Sequence, residues 1–478
     1  MKFQIFTLVL FFFLLFGILS CSTNTTTTSA TTSMTTSATT SLTTSATSST
    51  TIGSTTATTT ISSTIPNTTN TTGPTTYTLS ALQADYDQFV SLIQYNPQIF
   101  TDKEELAEII LSQRELLFEG MTQLEFYRVL AVVNATIRCG HTNIQVPYSI
   151  ISEIFYSNTY SVDVRLIDNQ LVVIKVNGTT NLEFGDIIIS INGQNVSDLT
   201  LEMMRYLSSD GEGFTFKTQL LSEFYFSYYN LFLGSNQTLE IEYIDYTLGT
   251  THSELLYRNG PEYQGYEEEP AFEAQYGDDY AIMTLRTFYP YGVYSMTAFF
   301  NFFETFFNQV ETLKITKIIL DLRDNGGGDP RVASRLLSYL VSSPQPYFSS
   351  STLDYYPGLK SAVPLSEPHY EGTLLVLIDA FCFSTCGHFA ALLRYHSIGT
   401  FIGEETHGGF ICTDGSVENQ LRNTRINFQS SRISWAVAVE GLPFGRGTSP
   451  DIDVSITLED YRLGVDPVLQ TALDQFLK

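Results

Sequence analysis

The chain has 478 residues, with 24 Lys and Arg against 50 Asp and Glu and a formal net charge of −26. That balance excludes the basic surface a phosphate backbone requires, so no nucleic-acid partner is expected. It favours solubility and attracts cationic peptides, weakly at physiological salt.

Met1-Lys2 followed by FQIFTLVLFFFLLFGILS reads as the apolar core of a secretory signal, residues 1–20, cleaved near Ser20 or Cys21. The run is close to spanning length, so an uncleaved N-terminal anchor is the alternative. Residues 21–76 are nearly all Thr and Ser. A stretch so poor in apolar surface cannot offset its ordering entropy, and it reads as a disordered stalk, O-glycosylated or bare. From Tyr77 the composition turns aromatic and aliphatic, and the remaining ~400 residues suffice for two or three domains with real cores. No later segment is long and apolar enough to span a membrane, and the terminal LQTALDQFLK lacks an anchor tail. The expected destination is extracellular, secreted or at the cell surface.

Residues 77–145 read as a helical N-terminal domain. Leu82, Tyr86, Phe89 and Ile93 recur at helical spacing, and Thr101–Glu104 and Thr122–Glu125 are capping-box patterns. Residues 148–250 read as mostly strands: SVDVRLIDNQLVVIKV is β-rich, and Ile187, Ile189 and Ile191 alternate up to the turn pair Asn192-Gly193. A short helix is expected from Ser197 or Asp198. From 270 to 478 buried strands alternate with helices, which predicts a mainly parallel sheet with crossovers. In such sheets sites form beyond the carboxyl ends of strands. Both DNGGG (residues 324–328) and FCFST (residues 381–385) lie there.

Ser384 sits where a strand hands over to a helix, whose free N–H groups suit a nucleophile that generates an oxyanion. Alone, such a serine is more often a helix cap, and the window is not G-x-S-x-G. The three glycines of DNGGG let the backbone aim N–H groups at a ligand, or simply make a tight turn. A serine nucleophile needs a base. His141 in CGHT, His388 one turn into the helix and His407 in GEETHGG are the candidates, and spacing alone does not choose among them. No H-E-x-x-H or zinc-type cysteine pair occurs, so no metal is expected. Beyond Cys21, four cysteines remain: Cys139, Cys382, Cys386 and Cys412. An even number in an exported chain predicts two disulfides. Sequons at Asn134, Asn177, Asn195 and Asn236 fit a secretory route as glycosylation sites.

The segment from about 80 to 475 resembles the tail-specific, or C-terminal processing, serine peptidases, including the tricorn-core type. LDLRDNGGGD looks like that family's LDLRxNxGG, and LIDAFCFSTCGHFAALLR matches its nucleophile segment with Ser384 in the nucleophile's place. IGEETHGG looks like the loop that follows, and GTSPDIDVSITLEDYRLGVDPVLQTAL is similar to its C-terminal pattern. LEFYRVLAVVNATIRCGHT looks like the lead into the DGHT motif of tricorn-type members, and FGDIIISINGQNV resembles a PDZ core. The resemblance implies a multidomain α/β protein: a helical N-terminal domain, a PDZ-like β-rich domain, and an α/β protease core of the ClpP/crotonase-like kind.

Three departures matter. Many members use a lysine base in the loop that reads THGG here, but the matching position is Gly409, and the only lysine after Ser384 is Lys478. Tricorn-type members use a histidine, carried over as His141, supported by a carboxylate. Glu440 in WAVAVEG is the nearest match, with Glu404 and Glu405 as rivals. The Asp of DGHT is Cys139 here, and the family's acidic residue after the nucleophile is replaced by Gly387-His388. The resemblance thus implies a peptide or protein substrate attacked by Ser384, with His141 as base, Glu440 as its support and the N–H groups of Gly327 and Thr385 holding the oxyanion. No cofactor is implied. A disulfide from Cys139 to Cys382 or Cys386 would clamp the base segment to the nucleophile turn; buried unpaired thiols are the alternative. The rival class is a catalytically inactive, peptidase-like extracellular binding protein.

Overall fold

The computed structural model describes residues 75–151, 154, 159–234, 236–259 and 270–477. The expected signal (1–20) and nearly all of the expected stalk (21–76) lie outside the described residues. No described helix is long and apolar enough to cross a membrane.

Three helices open the described chain: α1 (Leu79–Ile93), α2 (Lys103–Glu115) and α3 (Gln123–Thr136). In α1 the buried face is carried by Leu82, Tyr86, Phe89 and Ile93, the residues whose spacing predicts it. Thr122 and Glu125 form the expected capping box of α3. The cap of α2 differs from the expected one. Asp102, not Thr101, accepts the N–H groups of Glu104 and Glu105, at 2.9 and 3.1 Å. Thr101 instead donates its hydroxyl to the Ile137 carbonyl at 2.6 Å, which ties the start of α2 to the end of α3.

An antiparallel sheet follows, built from β1 (Val162–Ile167), β2 (Gln170–Val176), β3 (Ile187–Ile191), β4 (Thr238–Ile244) and β5 (Thr251–Asn259), paired in the order β5-β4-β3-β2-β1. Asn192 and Gly193 turn at φ 49° and 74°, the pair of positive values a type I′ turn needs. Helix α4 (Val196–Met204) starts one residue ahead of its expected position, because Asn195 supplies the cap. Helix α5 (Phe214–Phe232) stands where strands were expected. Its aromatic content favours a strand by propensity. However, Phe216, Leu220, Tyr225, Tyr228 and Phe232 bury one helical face, and packing overrides propensity. These helices and the sheet share one hydrophobic core, which extends to Ala380 and Phe381 at the edge of the site described below.

The last part is the α/β core. Its sheet runs β6 (Phe272–Tyr276), β7 (Tyr280–Leu285), β8 (Lys317–Asp321), β9 (Thr373–Ile378), β10 (Thr400–Gly403), β11 (Ile452–Asp453), in that order. Only β6 pairs antiparallel; β7 to β11 are parallel. Side chains alternate between two buried faces, as fully covered parallel strands require. Ile318, Leu320 and Val376 pack under α6 (Met296–Leu313), α7 (Pro330–Leu337) and α8 (Thr385–Tyr395). Ile319, Leu375, Leu377 and Ile402 pack under α9 (Pro467–Gln475). Asp321 ends β8, fully inside. Burial opposes its charge, but Arg323 and Arg286 outweigh burial and hold its carboxyl down at about 2. Arg323 also reaches Asp466 at 2.9 Å, pinning the start of α9 to the end of β8.

Candidate active site

Ser384 closes the turn between β9 and α8 with φ 54° and ψ −122°. An L-residue held there costs roughly 1–3 kcal/mol and persists only where its surroundings over-determine it. They do so here. The Asp379 carboxylate accepts the N–H groups of Phe381 (2.9 Å) and Cys382 (3.1 Å). Phe383 donates its N–H to the Asn325 carbonyl at 3.0 Å, and Gly408 donates to the Cys382 carbonyl at 3.0 Å. A sharp nucleophile-type turn therefore exists without the G-x-S-x-G pattern. The hydroxyl does not cap α8. Its Oγ lies 2.9 Å from His141 Nε2.

His141 is delivered from the other end of the described chain. Arg138, at φ 55°, turns the backbone out of α3. The short strand Asn143–Ile144 then pairs with Gln429 and Phe428 of the strand Asn427–Ser430. The His141 carbonyl accepts from Ser416 Oγ at 3.2 Å and from Gln429 Nε2 at 3.3 Å. Its ring lies over Phe383 with centroids 4.4 Å apart. Glycine is needed at 140, since a Cβ there would come within 2.6 Å of the Phe383 ring.

The other histidines are not bases here. His388 is buried behind the turn, and burial drives its imidazole down to about 3. His407 is stacked between Phe216 and Phe383, at 3.9 and 4.3 Å. Burial, helped by the charges of His141 and Lys217, holds it well below the ordinary histidine value. Thus neutral, its Nε2 accepts the backbone N–H of Asp210 at 3.0 Å.

The carboxylate assignment needs correction. Glu440 is exposed, and it makes no hydrogen bond to His141, whose Nδ1 is buried without a partner. It sits where the chain leaves the core for the exposed turn at Gly441. Glu404 accepts from Ser455 at 3.0 Å, and Glu405 pairs with Arg446. The carboxylate beside the base is Asp210, in the turn between α4 and α5. Its Oδ1 accepts the Gly140 N–H at 2.7 Å. Its Oδ2 is buried with no partner. Burial pushes this carboxyl up to about 6, against the pull of His141 and of the Gly140 N–H. In sequence Asp210 shows only as part of SSDGEG, an ordinary loop signal with no spacing that ties it to CGHT.

Of the two expected oxyanion donors, Thr385 stands at the start of α8 directly after Ser384. Its N–H has no partner among the described residues. Gly327 lies against the Ser384 turn, but its N–H donates to Asn325 Oδ1 at 2.9 Å. Thr385 Oγ1 donates to the Gly328 carbonyl at 2.6 Å and fixes the glycine loop to α8.

The expected disulfides are not formed: Cys139, Cys382, Cys386 and Cys412 are all buried free thiols. Cys139 meets Thr413 Oγ1 at 2.7 Å, and Cys382 donates to the Leu322 carbonyl at 3.0 Å, so each has its own polar partner. The base segment is held instead by the strand pairing at 143–144 and by the Gly140–Asp210 bond. Of the sequons, Asn177, Asn195 and Asn236 are exposed. Asn134 is buried, and its amide donates to the Thr142 carbonyl at 2.9 Å, so the folded chain does not offer it for glycosylation.

Comparison with known proteins finds likeness over the α/β core and in the fold. Residues 282–454 match the model of peptidase family S41. A protein described as a putative tricorn-like protease C-terminal subunit, from Sulfurisphaera tokodaii, is 27% identical over 175 residues, 34% of this chain. The match spans 18% of that relative's length. The structure of mature CPAF superposes with TM-score 0.59 at 14% identity, covering 82% of this chain and 96% of the other. Mature CPAF complexed with lactacystin gives 0.59 at 14%, covering 83% and 98%. These two show a shared fold. The match over residues 282–454 and the tricorn-like relative support a serine peptidase of family S41, of the tail-specific, C-terminal processing type.

Proposed function

We propose that the chain is a secreted or cell-surface serine endopeptidase in which Ser384 is the nucleophile and His141 the base. The 2.9 Å approach of His141 Nε2 to Ser384 Oγ, at a backbone conformation held out of its normal range, is the observation that carries this reading. In it, Ser384 Oγ attacks the carbonyl carbon of a peptide bond while its proton passes to His141 Nε2. The tetrahedral oxyanion takes the free Thr385 N–H, joined by the Gly327 N–H on release from Asn325. Losing one such donor in a serine protease costs about 3 kcal/mol. His141 then returns the proton to the leaving amine nitrogen, the C–N bond breaks, and water resolves the acyl-enzyme by the same route in reverse. Residues 148–250 are read as a PDZ-like module that presents peptide by strand addition. The apolar run at 3–20 and the Thr/Ser-rich stretch after it support export.

Digestion of a diverse peptide mixture by the secreted protein, analysed by mass spectrometry, tests the proposal. New internal cleavages that disappear with Ser384→Ala are expected. No Ser384-dependent cleavage by a folded protein would overturn it.

A further inference from the structure

We propose that Asp210, rather than any glutamate of the core domain, is the carboxylate that orients His141 and holds its cation during proton transfer. The inference rests on the serine-peptidase reading and adds a positioning residue to it.

Two buried atoms in this region lack hydrogen-bond partners and complement each other. His141 Nδ1 is a donor when Nε2 accepts the serine proton, and Asp210 Oδ2 is an acceptor. Buried polar atoms in folded proteins are nearly always paired, so two orphans flanking one short hydrogen bond point to a common partner. That bond is Gly140 N–H to Asp210 Oδ1, from the residue next to His141. The carboxylate is therefore already anchored by one oxygen to the residue preceding the base, and its free oxygen is the acceptor that the proposal pairs with His141 Nδ1. Hydrogen bonds of this kind are often open in unliganded enzymes and tighten in the reacting complex.

The loop holding Asp210 is also built for placement. Its own N–H is held by His407 Nε2 at 3.0 Å. Gly211 donates to the Arg138 carbonyl at 3.1 Å, and a Cβ at Gly211 would collide with Gly445. Asp210 is only 5% exposed. The charged and titratable groups around it are His141, Asp414, Cys139, Cys412 and the neutral His407. Of these His141 is the one whose cation favours the ionised carboxylate. A buried carboxylate with that single counter-charge stabilises the base most when the base is protonated, which is when catalysis requires it.

The test uses the full-length protein with Asp210→Asn and Glu440→Gln. With a cleavable peptide, Asp210→Asn should lower kcat by about 10³- to 10⁴-fold with KM within about threefold, the pattern of a displaced orienting carboxylate. Glu440→Gln should stay within about threefold. Proton NMR supplies a readout independent of turnover. The wild type should show a strongly downfield imidazole N–H resonance that is absent from His141→Ala, lost in Asp210→Asn and kept in Glu440→Gln. Asp210→Asn retaining kcat within threefold, a resonance insensitive to Asp210, or a large loss with Glu440→Gln would overturn the assignment. Should Asp210→Asn not fold, Asp210→Glu, which keeps a carboxylate, should shift the resonance, and an unshifted resonance in that variant would overturn the assignment. A wild type that cleaves nothing yet shows the Asp210-dependent resonance overturns the peptidase reading and leaves the Asp210 assignment standing.

Discussion

Gly327 lies so close to Ser384 that a Cβ on the glycine would come within 2.7 Å of the serine Cβ. The same atom would meet the Phe383 carbonyl at 2.7 Å and the Thr385 N–H nitrogen at 2.9 Å, and Gly327 is at φ +99°. Gly327→Ala must therefore push the nucleophile turn aside. A displacement of ~1 Å costs about 100-fold in rate, so kcat/KM should fall by at least about that. Gly326 has open space at its Cβ position and makes the matched control. Gly326→Ala should be near wild type in the same assay.

Ser384 itself stores strain, at φ 54° and ψ −122°. Alanine keeps that strain and glycine relieves it. Both Ser384→Ala and Ser384→Gly should be inactive, but Ser384→Gly should be the more stable of the two by about 1 kcal/mol, read from urea unfolding. Equal or lower stability for the glycine variant would mean the turn is not strained.

Asp210 links stability to pH. Its folded carboxyl is raised to about 6 by burial, whereas an unfolded Asp titrates near about 3.9. The folded state thus binds the proton more tightly, and this stabilisation is full below about pH 4 and lost as pH rises through about 6. Asp210→Asn removes the cost of the buried charge. It should be more stable than wild type above pH 6, by on the order of 1–3 kcal/mol, with no gain at pH 4. A stabilised but inactive variant separates the positioning role from a folding defect.

The Asp321–Arg323–Asp466 cluster works with the opposite sign. Asp321 is held at about 2, so its ionised form stabilises the fold above its unfolded value, and that contribution is lost as pH falls through about 2. Arg323→Met leaves a buried carboxylate with Arg286 alone. It should destabilise by about 3–5 kcal/mol at neutral pH in chemical denaturation.

How much of this was legible in the sequence depends on how local each signal is. The strand-to-helix turn at Ser384, the glycine loop and the alternating strands of the core were readable because each lies within a few residues of its own pattern, whereas Ser384 as a nucleophile rather than a helix cap came from the family resemblance. His141 emerged only through a family resemblance, since 243 positions separate it from Ser384. Asp210 was not legible, because its role comes from one hydrogen bond to Gly140 formed by the packing of α4 and α5. The same long-range packing turned an aromatic stretch at 214–232 into a helix and buried Asn134 beneath the His141 segment. Motif alignment places Glu440 near a strand end but says nothing of burial, and the residue is exposed.

The central claim, an activated Ser384 with His141 as its base, is tested most directly by labelling the purified full-length protein with a fluorophosphonate probe beside Ser384→Ala and His141→Ala. The account predicts labelling of the wild type and none in either variant, with all three folded. Failure of the folded wild type to label at any pH tested would contradict it and favour a peptidase-like binding protein.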